Sequence, residues 1–242
     1  MATGMARERL FRFKRFSVVH EKAAMKVGTD GVLLGAWCDV DSAVKVLDVG
    51  TGCGLIALMV AQRNPVCEIL GIDIDADAIE EANLNFSNSL WSDRLEARWA
   101  DFNDFAHRSL GQYDLIVSNP PFFTQGSLPP VAQRKNARHT LSLSFGQLLS
   151  NAKRLLSPGG TIALITPIDA IQEIVELCVD NALNIKRKTE VVSIDGLPPK
   201  RVLWELSPSP CVLVRSQLVI ENPTSGYTLA YRALCRDFYL KF

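Results

Sequence analysis

The 242-residue sequence lacks any apolar run long enough to cross a membrane, and its basic N-terminus is not followed by an apolar signal-type core. No two of its six cysteines form a CxxC pair, so no metal is expected. Scattered at 38, 53, 67, 178, 211 and 235, they read as small core residues in a reducing compartment. Net charge is lacking too: 26 Lys and Arg balance 26 Asp and Glu, so no global field draws the chain to nucleic acid or membrane. There are no repeats, no low-complexity tract and no linker long enough to split the chain. These absences point to a cytoplasmic protein with one α/β domain of sizeable core, or a domain and a small appendage.

The local charge is uneven. Arg7, Arg9, Arg12, Lys14 and Arg15 alternate with Leu10, Phe11, Phe13 and Phe16. Two readings stand: an arm placing Arg12, Lys14 and Arg15 on RNA phosphates with rings on bases, or an edge strand whose apolar positions face the core. Next, Thr29 or Asp30 can cap a short helix over 32–37, and a helix start with Lys26 beside it can hold a carboxylate. Residues 1–43 are read as an extension packed on a single domain, 44–242.

From residue 44 the pattern is strand, tight turn, helix. Strand 44–49 runs into Asp48-Val49-Gly50-Thr51-Gly52-Cys53-Gly54, then an apolar helix over 55–62. Glycines at 50, 52 and 54 let the backbone turn and approach a ligand, with the free N–H groups of the helix behind them. A second strand, 68–74, carries Asp73, 23 residues past Gly50, near the offset at which an acid receives ribose hydroxyls. The dinucleotide pattern GxGxxG is broken by Leu55, and the leading Asp48 suits a cationic cofactor better than a pyrophosphate. Helix 76–89 and strand 95–100 follow, the latter ending at Asp101, which either accepts from an adenine amine or caps the helix over 103–108.

A fourth strand, 113–118, is followed by a polar loop, 124–140, whose Arg134, Lys135, Arg138 and His139 make it a candidate lid over a phosphate-bearing substrate. A helix over 144–156 stops at Ser157-Pro158-Gly159-Gly160; strand 161–166 and helix 168–182 come next. The tail reads as strands 185–194, 201–206 and 212–220 with an antiparallel edge, then a helix over 227–240.

The fourth strand is stopped by Asn119-Pro120-Pro121-Phe122, since consecutive prolines give a ladder no N–H. At the carboxyl end of a central strand, where open α/β sheets bind ligands, this places a carboxamide oxygen, the Pro120 carbonyl and the Phe122 ring together. Two acceptors converging on one point suit a planar NH₂ group, and a ring stacks on whatever carries it. The plainer alternative is that the turn only ends the strand.

Asp48 to Gly54, Asp73, Asp101 and Asn119 to Phe122, in that order, resemble the class I S-adenosylmethionine-dependent methyltransferases that act on exocyclic or amide nitrogens. The fold so implied is a Rossmann-like α/β domain: a mostly parallel seven-stranded sheet with an antiparallel edge strand and helices on both faces. Over nearly the whole chain, Met25 to Trp37, Ser118 to Pro121, Gln133-Arg134 with Ala137-Arg138, and Phe238-Tyr239-Leu240 are similar to the bacterial tRNA adenine-N6 methyltransferases. Phe122 and His139 depart from that family, which carries Tyr at both. The resemblance implies methylation of adenosine-37 of a valine tRNA by S-adenosylmethionine, yielding S-adenosylhomocysteine. It implies Asn119, Pro120 and Phe122 as catalytic. Lys26, Gly28, Thr29, Asp30, Asp48, Gly50, Gly52, Gly54, Asp73, Asp101 and Asn119 would hold the cofactor, and Arg12, Lys14, Arg15, Arg134 and Arg138 the RNA. Guanine-N2 methylation of ribosomal RNA and amide methylation of protein glutamine share the Asn-Pro-Pro turn, and an RNA chaperone that binds the cofactor without turnover is a further alternative.

Overall fold

The structure, a computed structural model, describes residues 10–23, 25–109, 112–121 and 143–242. Phe122, the loop 124–140 with Arg134, Arg138 and His139, and Arg7 and Arg9 lie outside the described residues.

A short hairpin of β1 (Leu10–Arg12) and β2 (Ser17–Val19) precedes α1 (Thr29–Trp37). Strand and helix then alternate: β3 (Lys45–Val49), α2 (Leu55–Arg63), β4 (Glu68–Asp73), α3 (Ala76–Ser87), β5 (Leu95–Trp99), α4 (Phe102–Arg108), β6 (Tyr113–Ser118), α5 (Phe145–Leu155), β7 (Leu156–Pro167) and α6 (Ile171–Asp180). The tail supplies β8 (Asn184–Ile194), β9 (Arg201–Ser207), β10 (Val214–Asn222), β11 (Gly226–Tyr227) and α7 (Leu229–Cys235).

The main sheet runs β11-β10-β8-β9-β7-β6-β3-β4-β5. It is mostly parallel, as expected. It has nine strands rather than seven because β10 and β11 extend it beyond β8. β11 gives the antiparallel edge, and a second antiparallel strand, β9, lies inside the sheet between β7 and β8. Short links force both: β8 returns through 195–200 and β10 through 223–225, too few residues for a crossover helix.

The unbroken apolar runs of the central strands follow from burial on both faces. Leu115 and Val117 of β6 pack with Leu33, Leu58 and Phe86 from α1, α2 and α3, whereas Ile116 packs with Phe102, Leu148 and Ile174 from α4, α5 and α6. Five of the cysteines are buried as expected, but Cys211 is exposed, in the link between β9 and β10. Ser157 to Gly160 end α5 without making a loop. They already belong to β7, where Gly159 sits at φ +83° and the register against β6 shifts between Tyr113 and Leu115, an irregularity of the bulge type. The expected helix over 227–240 shrinks to α7 at both ends: Gly226 and Tyr227 are drawn into β11, and beyond Cys235 the chain runs in turns.

Among the described residues no helix is long and apolar enough to cross a membrane, and no His/Cys/Asp/Glu group is placed to hold a metal ion.

Candidate active site

The site forms where β3 and β6 end side by side, Val49 opposite Ser118, with the Ser118 hydroxyl donating to the Val49 carbonyl at 2.8 Å. Beyond β3 the chain folds over the end of β4: Gly50 and Thr51 both donate main-chain N–H to the Ile72 carbonyl, at 2.9 and 3.0 Å. Gly50 (φ +73°) and Gly52 (φ +54°) occupy the left-handed region, and a Cβ on either would meet nothing within 4 Å. They border open space. Gly54 (φ +80°) is different, because a Cβ there would lie 2.4 Å from the buried Phe86 ring. It is needed for packing and for the start of α2, which it caps.

The open space is a cleft of about 370 Å³ between the Gly50–Cys53 turn, the N-terminal end of α2, the Met25–Gly31 segment and Asn119. Asp48 lies beneath the turn, fully buried. Its Oδ2 accepts from Thr51 Oγ1 at 2.8 Å, while Oδ1 has no partner among the described residues. Burial, together with the charge of Asp73 nearby, pushes its carboxyl up to about 7 despite the opposing pull of the Thr51 bond and of the Ala57 main-chain N–H. Asp73 accepts from Gly52 N–H and Asp75 N–H, both at 2.9 Å, and burial also raises its pKa. Asp101 caps α4: its Oδ1 accepts from the N–H groups of Asn103 (2.8 Å) and Asp104 (3.2 Å). Of the two readings of Asp101, the cap is therefore present.

Asn119 borders the cleft, with its Oδ1 buried and unpartnered among the described residues; Pro120 behind it is buried as well. Lys26, Gly28, Thr29 and Asp30 line the same cleft. The expected cap by Thr29 or Asp30 is not made. Gly28 takes the cap position without a side-chain bond, Asp30 instead accepts from Arg201 Nε at 2.8 Å, and Lys26 Nζ donates to the His20 and Glu21 carbonyls.

Arg12, Lys14 and Arg15 lie away from this cleft. Lys14 Nζ donates to the main-chain oxygens of Arg236 and Phe242, Arg15 sits 5.7 Å from the Trp91 ring centre, and Arg12 is exposed in β1. Phe13 and Phe16 between them are buried, as the edge-strand reading expects.

Several positioning residues were not read from the sequence. Glu81, buried on α3, accepts from the N–H groups of Glu21, Lys22 and Ala23 at 2.5, 2.9 and 3.0 Å, holding the segment that leads to Met25. Four residues on, Asn85 binds Val19 and Cys53. The available signal was an acid and an amide at i and i+4 on the stripe that carries Ala78, Ala82 and Phe86. Thr51, three residues after Asp48, was missed in its bond to that acid.

A sheet of this order, with a glycine turn after its central strand and an acid at the end of the next, defines a class I methyltransferase. Solved structures agree on the fold. One described as a predicted O-methyltransferase from Agrobacterium tumefaciens superposes with TM-score 0.68 at 20% identity, over 86% of this chain and 96% of its own. A precorrin-6y C5,15-methyltransferase from Geobacter metallireducens superposes with TM-score 0.53 at 14% identity, over 80% and 93%. Residues 17–188 match the methyltransferase small domain. Three curated relatives carry the name tRNA1(Val) (adenine(37)-N6)-methyltransferase: from Phocaeicola vulgatus, 45% identical over 95% of this chain and 97% of the relative; from Trichodesmium erythraeum, 43% over 96% and 98%; and from Parabacteroides distasonis, 42% over 96% and 98%. The chain belongs to the family of tRNA1(Val) (adenine(37)-N6)-methyltransferases, within the methyltransferase small domain proteins.

Proposed function

We propose that this protein is a cytoplasmic enzyme that methylates N6 of adenosine-37, beside the anticodon of a valine tRNA, using S-adenosylmethionine. The observation that carries this reading is the Asn119 carboxamide oxygen, buried without a partner among the described residues at the edge of the cleft. A buried acceptor left unpaired is costly, so its place in the fold is best explained by a ligand N–H that completes it.

The cleft fits the cofactor. Gly50 and Gly52 leave room that any Cβ would occupy, and Asp48 beneath them has an oxygen unpaired among the described residues, where a cation would be welcome. Asp73 retains lone pairs for ribose hydroxyls after its two main-chain bonds, and the Asp101 cap leaves Oδ2 for the adenine amine. Lys26, Gly28, Thr29 and Asp30 would close the side nearest the methionine portion, with Gly54 shaping the turn. When bound, S-adenosylmethionine supplies an electrophilic methyl carbon.

The protein's part is orientation. The substrate amine is a weak nucleophile because its lone pair is delocalised into the ring. By accepting one N–H each, Asn119 Oδ1 and the Pro120 carbonyl favour a pyramidal nitrogen and aim its lone pair into the cleft. No strong base is needed, since the nitrogen becomes acidic only as the new bond forms. Phe122, next in the sequence after Pro121, supplies the ring to hold the base, flipped from its stack. Arg134 and Arg138 are proposed to reach the RNA backbone, and Arg12, Lys14 and Arg15 to contribute at longer range. Nucleoside analysis of tRNA from cells lacking the protein tests the reading. One N6-methyladenosine should vanish, to be restored by the wild type and not by Asn119→Ala; loss of N2-methylguanosine from ribosomal RNA, or of N5-methylglutamine from protein, would overturn it.

A further inference from the structure

A second cleft, about 400 Å³, lies beside the first, and Thr29 and Asp30 line both. The first turn of α1 is thus the partition between them, cross-linked to the start of β9 by the Asp30–Arg201 ion pair at 2.8 Å. The floor of the second cleft is apolar, from Leu33, Val191 and Ile220. Its chemistry lies at three other residues. Tyr227 is 41% exposed, backed by Tyr231 (5.3 Å between ring centres) and Phe242 (5.1 Å). Lys200 is exposed, and its ammonium has no partner among the described residues. The Glu221 carboxylate likewise has none among them, although its main-chain oxygen accepts from Asp195.

A half-exposed ring on a rigid aromatic backing, an unpaired cation and an unpaired carboxylate have one common complement. A nucleotide offers a flat base to stack, a phosphate for the cation, and amine hydrogens on the base edge for the carboxylate. The volume is within the range of small-ligand pockets.

We propose that this second cleft is a subsite for a nucleotide flanking the target adenosine, its base on Tyr227 with an amine toward Glu221 and its phosphate at Lys200. The inference rests on the reading of the first cleft as the place of methyl transfer to RNA. One base at a time is thereby read on each side of α1, which anchors the strand and draws the target base into the first cleft.

The test is the affinity of wild type, Tyr227→Ala, Tyr227→Phe and Lys200→Ala for a labelled anticodon stem-loop RNA, by fluorescence anisotropy across a salt series. Tyr227→Ala should weaken binding about 10-fold, the loss expected of one stacked base, while Tyr227→Phe binds as the wild type does. Lys200→Ala should reduce the slope of log K against log salt by about 0.7, the value for one phosphate of a single strand. Cofactor affinity without RNA, by calorimetry, should remain at the wild-type value in all three. Wild-type RNA affinity and salt slope in both alanine variants would overturn the subsite, even where the wild type methylates tRNA. Failure of the wild type to methylate any RNA, with variant-sensitive binding intact, would overturn the reaction and leave the subsite supported.

Discussion

The Asn85 side chain serves both main-chain groups of Val19: Oδ1 accepts its N–H and Nδ2 donates to its carbonyl, each at 2.8 Å. The amide does for β2 what a neighbouring strand would do. The same Nδ2 reaches the Cys53 carbonyl at 2.8 Å, tying the N-terminal segment to the glycine turn, and one helical turn earlier Glu81 grips residues 21–23. α3 is therefore the post to which two walls of the active cleft are fixed.

Glu81→Gln tests that role. A carboxylate accepts at both oxygens, whereas a glutamine must turn an NH₂ toward at least one of the three N–H groups. Stability should fall by about 1–3 kcal/mol in urea unfolding, the cost of leaving a buried group unpaired. Because the held segment leads into Met25 and Lys26 of the cleft wall, S-adenosylmethionine affinity by calorimetry should fall several-fold as well. A stability loss with unchanged affinity would show that the wall does not depend on this anchor.

The glycines of the turn should separate in their effects. In Gly54→Ala the left-handed backbone and a Cβ 2.4 Å from the buried Phe86 ring act together, and about 3 kcal/mol of stability should be lost. In Gly50→Ala only the backbone term applies, about 1 kcal/mol, since a Cβ there meets no protein atom within 4 Å. That Cβ instead projects into the space assigned to the cofactor, so affinity should fall at least 10-fold. Denaturation curves and cofactor titration of the two variants give the comparison, and equal stability losses would contradict it.

The contrast between these glycines also marks how far sequence reasoning reached. Asp48, the glycine turn, Asp73 and Asn119 were legible because each is a local signal: a strand ends, and a special residue follows at fixed spacing. The run Leu115-Ile116-Val117 announced burial on both faces for the same reason. That Gly54 faces Phe86 while Gly50 faces a cleft is tertiary information, invisible at identical spacing. Glu81 and Asn85 were passed over within the helix expected over 76–89, since nothing nearby in the chain shows that residues 19–23 arrive there to be bonded. Ser157 to Gly160 were a correct stop for α5, but whether the chain loops or pairs at once depends on Tyr113 across the sheet.

Asp48 should make stability depend on pH in a definite direction. Its folded pKa of about 7 is above the unfolded value of about 3.9, so the neutral carboxyl's contribution is fully present below the unfolded value and is lost as pH rises through 7. Asp48→Asn fixes a neutral group at the position. The variant's stability relative to the wild type should therefore rise from pH 5 to pH 8, by on the order of 2 kcal/mol from the linkage relation. Asp73, raised mainly by its own burial, is present in both proteins, and that burial contribution is shared by them. Urea unfolding at the two pH values decides, and a constant difference would mean that Asp48 ionises at its ordinary pH.

Asn119→Ala should uncouple stability from turnover. An ordinary buried asparagine is satisfied by the protein, and its removal destabilises. Here Oδ1 is buried with no partner among the described residues, so the folded protein without substrate bears a desolvation cost that alanine removes. The unfolding free energy of Asn119→Ala should match the wild type or exceed it by up to about 1 kcal/mol. Methyl transfer should fall by about 100-fold or more, as when a pre-oriented polar group is taken from a reacting centre, while cofactor affinity stays within a few-fold. A marked loss of stability would place this oxygen among structural hydrogen bonds, and retained turnover would remove it from the chemistry. The expected pair, a protein no less stable that has stopped working, is the mark of a group held in readiness for a substrate.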